Sequence, residues 1–530
     1  MIPDRPWLSR ALALAAGAAA AVAHPPFGLL PGLLGYALLL DRLETQGPRP
    51  LRSAFFRGWL AGTAYFAVGT WWIAEAFFVD AAAHGWMAPF AVTFMAAGLG
   101  LFWGAAAWLY RWIAPRGVAR LFAFAGAFAV LEWLRGHVLT GFPWNLPGET
   151  WRAGSAMSQV AALVGAYGLT WITLVLAGAP ALWREGRKGR LVLGGAVLVL
   201  AGLWGWGMAR LSTPLPATTG PVVRLVQANI PQSDKYNLAL FRSIVTTYVD
   251  LTRTPARRPV DIVIWPEGAL PDSVDAYLAP GAWAHDQING ALAPGQVLMV
   301  GGYRVQPTAA RPLYFNTFVA VRRTETGLRF LGFYDKHRLV PFGEFIPLDR
   351  FFAPLGLHQL VQVGEGFSEG PEPRPMLLEG LPAMQPLICY ESLFPGFTRQ
   401  GARLAGRRAS VIVNVSNDAW FGATSGPLQH LNLASYRAIE EGLPMLRATP
   451  TGVSAVVDAL GRTRSSDSLS HGVRGVLDAV VPSSLPPTPY TRTGDLGFAL
   501  MLLFSGVTGV AGINRRLRQS RSNPIWGGKP

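Results

Sequence analysis

The sequence runs to 530 residues, of which 51% are hydrophobic and only 15% charged, with a mean hydropathy of +0.28. A soluble chain of this size carries about 25% charge, so a wholly soluble protein is excluded and much of the chain is expected in lipid. The net charge of +15 would suit nucleic acid, but many of the Arg residues sit in short clusters between apolar stretches, a pattern that orients membrane helices and meets anionic headgroups.

In chain order, residues 1–212 are apolar and hold seven candidate spans, at 9–23, 27–41, 55–79, 87–112, 119–135, 159–183 and 190–210. An eighth lies at 494–514, ahead of a basic tail at 515–530. A helix needs about 20 apolar residues to cross a bilayer. The first two candidates are shorter, and Pro25-Pro26 separates them as a turn.

The connections alternate in charge. Arg5 and Arg10 precede the first span, and the 23–27 turn has no Lys or Arg. Arg42, Arg49, Arg52 and Arg57 follow the second span, 80–86 has none, and Arg111, Arg116 and Arg120 come next. Arg184, Arg187, Lys188 and Arg190 precede the seventh span, and Arg515, Arg516, Arg518 and Arg521 follow the last. By the positive-inside rule both termini face the cytoplasm and residues 221–488 face outward, into the periplasm of a host with two membranes. Arg5, Arg10, the run "ALALAAGAAAA" and Ala21-Val22-Ala23 also fit a cleavable signal peptide; the first helix is read as uncleaved. Glu75 and Glu132 are carboxylates within spans, expected as functional or paired groups or as solvated helix ends. The aromatic, proline-rich loop "RGHVLTGFPWNLPGETW" (135–151) reads as an interfacial segment.

Residues 221–488 have the mixed charge and frequent turns of a globular domain. "VVRLVQANIPQ" (222–232), "VDIVIWPEG" (260–268), "QVLMVGGY" (296–303), "NTFVAVRR" (316–323), "MQPLICYES" (384–392), "SVIVNVSND" (410–418) and "GVSAVVDALG" (452–461) are short apolar runs. Strands covered on both faces look like this. Helical stretches such as "QHLNLASYRAIEEGL" (429–443) lie between them, so the expected fold is an α/β domain with sheets buried under helices.

Three places in this domain carry residues able to do chemistry. Glu267 follows "DIVIWP", Lys336 sits in "FYDKHRLVPFGEFIP" (333–347), and Cys389 follows "QPLI". Strand ends facing one crevice are where α/β folds place ligands. Each residue also has a plainer role: a carboxylate capping the turn at "PEG", a solvated partner of Asp335, and a small buried hydrophobe. Cys389 is the only cysteine, which excludes an intrachain disulfide and cysteine-based metal centres. With no HExxH, P-loop or GxGxxG sequence either, no metal and no cofactor is expected.

The order Glu267, Lys336, Cys389 inside "WPEG", "DKHRLVPFGEF" and "ICYES" resembles the nitrilase superfamily. Together with the spans, the motifs "LVQANIPQ", "LTGFPWN", "NDAWFG", "GPLQH" and "LPMLRATPTGVSAVVD" narrow the resemblance to its membrane-embedded branch, the apolipoprotein N-acyltransferases. The likeness runs over nearly the whole chain. It implies an α-helical transmembrane bundle of eight spans in a bacterial inner membrane, joined to an αββα sandwich on the periplasmic side. It also implies a Glu-Lys-Cys triad, with Glu267 as base and Cys389 as nucleophile. Lys336 and the backbone N–H of Tyr390 would stabilise an oxyanion. Glu344 and Glu391 would orient Lys336 and the cysteine turn, while Asn316, Trp420 and Phe421 would line a lipid entrance. Tyr236 stands where relatives often carry tryptophan and keeps an aromatic platform; "FIPLDRFFAPLGLHQLV" (345–361) reads as an arm dipping towards lipid.

A free thiol is mostly protonated at neutral pH, so a carboxylate to take its proton and an ammonium to favour the thiolate are what the chemistry needs. The implied reaction is a ping-pong transfer. An acyl chain passes from a glycerophospholipid to the thiol, then from the thioester to the N-terminal amine of a diacylglyceryl-modified apolipoprotein, on a monomeric enzyme. Two other readings stand beside it: a membrane-tethered amidase or nitrilase with water as acceptor, and a transporter or lipid-binding scaffold with an inactive domain.

Overall fold

The computed structural model describes residues 6–44, 49–235, 237–309, 311–346 and 366–522, with side chains described up to residue 509. Tyr236, all but the first two residues of the 345–361 arm, and the end of the basic tail lie outside the described residues. The chain divides into two compact units, one made of 1–74, 87–211 and 493–530, the other of 75–86 and 212–492.

The first unit is helical. Its elements are α1 (Pro6–Val22), α2 (Leu34–Leu43), α3 (Pro50–Gly69), α4 (Ala88–Ile113), α5 (Ala119–Arg135), α6 (Ala161–Gly178), α7 (Gly186–Ser212) and a C-terminal helix, Leu496–Ser522. Each of the eight apolar stretches therefore contains a helix. Among the described residues, however, only Ala81–Ile113 and Met157–Ser212 are both long and apolar enough to cross a membrane, with Pro6–Val22 and Leu496–Gly509 as shorter apolar helices. By that measure the eight stretches hold two full-length apolar helices. Helix α2 has 10 residues and continues the 3-10 turn Leu30–Leu33; together they cover about 23 Å of a hydrocarbon core of about 30 Å. The expected 55–79 span stops at Gly69, where Thr70 leaves helical geometry (φ −130°) and its hydroxyl bonds the Phe66 carbonyl at 2.7 Å.

Close packing of small residues holds these helices together, as is usual where apolar surface alone gives no preference for a neighbour over lipid. At Gly17 of α1 an added Cβ would stand 1.8 Å from the carbonyl oxygen of Ala61 on α3. The carboxylate of Glu132 is buried and paired, accepting from Trp103 Nε1 (2.6 Å) and Arg135 Nε (3.0 Å). The 135–151 loop has two parts: Val138 and Leu139 are exposed, whereas residues 143–150 are all buried and the Asn145 carbonyl accepts from the Tyr65 hydroxyl at 2.7 Å. Its aromatic and proline content serves packing.

The second unit holds two sheets. The first runs in the order β11-β1-β2-β3-β4-β5 and the second β10-β9-β8-β7-β6. Their strands are β1 (Val222–Gln227), β2 (Ile262–Trp265), β3 (Val297–Gln306), β4 (Leu313–Thr324), β5 (Gly327–Asp335), β6 (Met384–Ile388), β7 (Val411–Val415), β8 (Met445–Ala448), β9 (Ser454–Val457), β10 (Ser468–Leu469) and β11 (Gly475–Val480). Strands β1–β3 and β6–β8 are parallel, and their continuous apolar runs are buried on both faces. The sheets face each other across one core, where Leu225, Ile264 and Met299 meet Ile388, Val413 and Leu446. Helices α8 (Phe241–Arg253) and α9 (Trp283–Ala291) cover the outer face of the first sheet through Val245, Tyr248, Val249 and Ile288. On the second sheet, Gly401 of α10 (Phe397–Ala405) lies against Gln385, and α11 (Gly426–Glu441) is buried over almost its full length. The expected αββα sandwich is present.

Candidate active site

Cys389 is the first residue after β6, and its backbone lies in the left-handed region (φ 49°). That conformation is costly for a residue with a Cβ and marks a held turn. Lys336 is likewise the first residue after β5, its N–H bonded to the Asn316 carbonyl at 2.8 Å. Glu267 follows β2 by one proline. Three strand ends thus deliver a carboxylate, an ammonium and a thiol to one place. Glu267 and Lys336 are buried, while Cys389 keeps partial exposure.

The polar contacts form one connected set. Lys336 Nζ lies 2.9 Å from Glu344 Oε2 and 3.4 Å from Glu267 Oε1. Asn316, on β4, donates from one amide nitrogen to Glu267 Oε1 and to Glu344 Oε1, both at 2.7 Å. Glu344 also accepts the Val340 N–H at 2.8 Å, closing the loop that carries Lys336. Among the described residues Oε2 of Glu267 has no side-chain hydrogen-bond partner, and the Asn417 backbone N–H faces the carboxylate. Asn316 therefore clamps the two carboxylates together.

Glu391 fixes the cysteine turn to the lysine loop. It accepts the Ile388 N–H (2.7 Å) through one oxygen, and the Tyr334 hydroxyl (2.8 Å) and the N–H groups of His337 (2.8 Å) and Arg338 (3.2 Å) through the other. Tyr390, next in the turn, is buried with its ring edge-on to Phe394. Trp420 and Phe421 lie half-buried in the turn Asp418–Phe421, and Phe421 packs edge-on to His430.

Charge and burial set the protonation states. Burial raises the Cys389 thiol and the Glu267 carboxylate raises it further; Lys336 and the Ser416 hydroxyl oppose this, and the thiol is pushed up to about 12. The resting thiol is protonated, so its proton has to leave as the sulfur attacks. Burial alone would raise Glu267 as well, but Lys336, Asn316 and Lys235 hold it below the ordinary carboxylate range. Lys336 is held above the ordinary lysine range: burial disfavours its charge, yet Glu344 and Glu267 outweigh that. The site therefore pairs a protonated nucleophile with an ionised base, and the proton can move when the sulfur attacks.

Two features escaped the sequence reading. Lys235 is buried with Nζ bonded to the Glu267 carbonyl at 2.9 Å, although its setting in "PQSDKY" looks like a solvated turn. Behind the cysteine, Asp418 accepts from Arg447 (2.8 Å), Ser416 (2.8 Å) and His430 Nδ1 (3.0 Å). The Ser392 hydroxyl lies 3.0 Å from His430 Nε2 and 2.8 Å from the Cys389 carbonyl, and its one hydrogen serves either acceptor in turn. "NDAWFG", "GPLQH" and "LPMLRATPTG" each supply one member of this network, and only the fold brings them together.

A two-sheet sandwich with a carboxylate, an ammonium and a thiol at its strand ends is the architecture of carbon–nitrogen hydrolases, and residues 222–485 match the family model described as Carbon-nitrogen hydrolase. Residues 16–179 match the Apolipoprotein N-acyltransferase N-terminal domain. An apolipoprotein N-acyltransferase from Caulobacter vibrioides is 60% identical over 506 residues, covering 95% of this chain and 94% of its own. One from Allorhizobium ampelinum is 38% identical over 494 residues, covering 91% of each chain. The chain belongs to the apolipoprotein N-acyltransferase family, as its motifs led one to expect. Among solved structures, a mutant of the Nesterenkonia AN1 amidase from the nitrilase superfamily covers 54% of this chain and 99% of its own at 17% identity and a TM-score of 0.36. A carbon-nitrogen hydrolase from Helicobacter pylori covers 49% and 88% at 14% identity and a TM-score of 0.32.

Proposed function

We propose that this chain moves a fatty acyl chain from a glycerophospholipid, through a thioester on Cys389, to the N-terminal amine of a diacylglyceryl-modified apolipoprotein. The observation that carries the mechanism is the meeting of the only thiol with an ionised carboxylate and a buried ammonium at three strand ends. As Sγ attacks the ester carbonyl, Glu267 takes the thiol proton, and Lys336 with the Tyr390 N–H receives the oxyanion. Collapse breaks the ester C–O bond, and Glu267 returns the proton to the departing lysophospholipid oxygen. The acceptor amine then attacks the thioester, Glu267 takes its proton, and the thiol is released as the amide forms. A thioester is reactive enough to acylate an amine, which gives the thiol its purpose. Water in place of the amine would make a membrane-tethered hydrolase, a reading the relatives do not favour.

Both substrates are lipid-anchored, so the helical unit is read as an eight-segment bundle in a bacterial inner membrane. In this reading 1–212 and 494–514 form the bundle, 221–488 is periplasmic, the 515–530 tail and the N-terminus are cytoplasmic, and the enzyme acts as a monomer. The alternating Arg clusters support this orientation. A reporter fused after Arg521 should be active only in its cytoplasmic form; periplasmic activity there would overturn the topology.

Purified enzyme incubated with radiolabelled phospholipid should acquire a hydroxylamine-sensitive acyl adduct, and absence of the adduct would refute the mechanism. Glu267→Gln should slow its formation by about 10²–10⁴, the usual worth of a general base. Iodoacetamide labelling of Cys389 needs the same proton removed from the thiol and should slow with it. Unchanged rates of both reactions would mean that Glu267 is not the base. Lys336→Met should slow adduct formation by about 10²–10³.

A further inference from the structure

The reaction outlined above uses one lysine, but the site contains two. Lys235 ends the short helix Gln232–Lys235, and Gln232 of that helix accepts from the Asn417 side chain at 3.0 Å. This anchors the segment to the turn after β7. The Lys235 side chain is buried, with Nζ on the Glu267 carbonyl. Gly268 makes room for it: its φ is +54°, and an added Cβ would stand 2.8 Å from Lys235 Cε and 2.9 Å from Nζ. An ammonium buried this deeply is expensive unless opposite charge faces it.

The surrounding charges supply that need. Glu267 and Cys389 face Lys235, on the turns after β2 and β6. Lys336 and Glu344 lie beyond Glu267, and Asp418 on the turn after β7 is already paired with Arg447. Within the inner set, Glu267 and Glu344 bring two negative charges against the single positive charge of Lys336. We propose that Lys235 is a positioning residue that anchors the backbone of the base Glu267 and supplies the second positive charge, so that negative charge can pass from carboxylate to sulfur as the proton moves.

This rests on the acyl-transfer mechanism but can be tested apart from it. Burial lowers Lys235 to about 8, with Glu267 and Cys389 pulling it back up. Its charge is therefore present below about pH 8 and lost above. Full-length enzyme in nanodiscs should form the acyl adduct at a rate that falls as pH rises through 8. Lys235→Met should be slower by roughly tenfold or more below pH 8, and its rate should converge with that of the unmodified enzyme above pH 9, one pK unit being a factor of ten. Lys235→Arg keeps its charge at high pH, so it should lose the alkaline fall, and it decides the matter if the methionine variant does not fold. Iodoacetamide labelling of Cys389 needs no lipid and should show the same convergence. If the enzyme formed no adduct yet labelling converged, the acyl-transfer reading would fail and the role of Lys235 would stand. A methionine variant as fast as the unmodified enzyme, or slower by one constant factor at every pH, would overturn the proposal.

Discussion

Cys389→Ala is expected to abolish both the acyl adduct and transfer to an apolipoprotein, because the chain has no other thiol to substitute. Folding should survive, since the residue is partly exposed and the turn is held by Glu391 and Ser392, not by sulfur. Cys389→Ser is the sharper comparison. A thiol pushed up to about 12 can still lose its proton to Glu267 during attack, but a hydroxyl is far harder to ionise in the same place. Any oxygen ester that did form would also be a poor acyl donor to an amine. The serine variant should therefore remain folded, membrane-inserted and unable to acylate. Acyl transfer by the alanine variant would end the nucleophile assignment and return Cys389 to the status of a small half-buried hydrophobe.

The sequence revealed the parts of this site that are chemically conspicuous. A lone thiol after an apolar run, a carboxylate after "IVIWP" and a lysine in a polar cluster are each visible without coordinates, and short doubly covered strands have a readable pattern. What stayed hidden depends on long-range contacts. Asn316 bridges two carboxylates that lie 49 and 28 residues away, a contact that sequence separation conceals. Nothing in the sequence around Lys235 signals burial, since lysines in turns are normally solvated; the space left by Gly268 beside Glu267 accommodates it. The helical unit failed in another way. Hydropathy counts apolar residues but does not register where the chain stops being helical, so the 55–79 stretch runs past the end of its helix at Gly69.

Asp418→Asn tests how far the cysteine turn depends on the charge network behind it. Asp418, His430 and Arg447 are all almost completely buried. Burial would raise the carboxyl of Asp418, but Arg447 and His430 hold it well below the usual carboxylate range, so it is ionised throughout the working pH range. Burial and Arg447 keep His430 below its ordinary value, which leaves the ring neutral at pH 7. The amide matches the carboxylate in shape but leaves the Arg447 guanidinium buried without its counter-charge. Breaking such a pair from one side typically costs about 3–5 kcal/mol, enough to bring a protein of ordinary stability close to unfolding. The variant should melt well below the unmodified enzyme and form little adduct even where it is still folded, because His430 and Ser392 lose the anchor through which they hold the Cys389 carbonyl. Arg447→Met in the same chain should recover part of the lost stability by removing the stranded charge, a non-additivity expected of partners in contact. Recovery of melting temperature without recovery of adduct would separate the two roles of the network. A single Asp418→Asn variant with unchanged melting and unchanged adduct rate would show that the ion pair neither stabilises the fold nor positions the nucleophile.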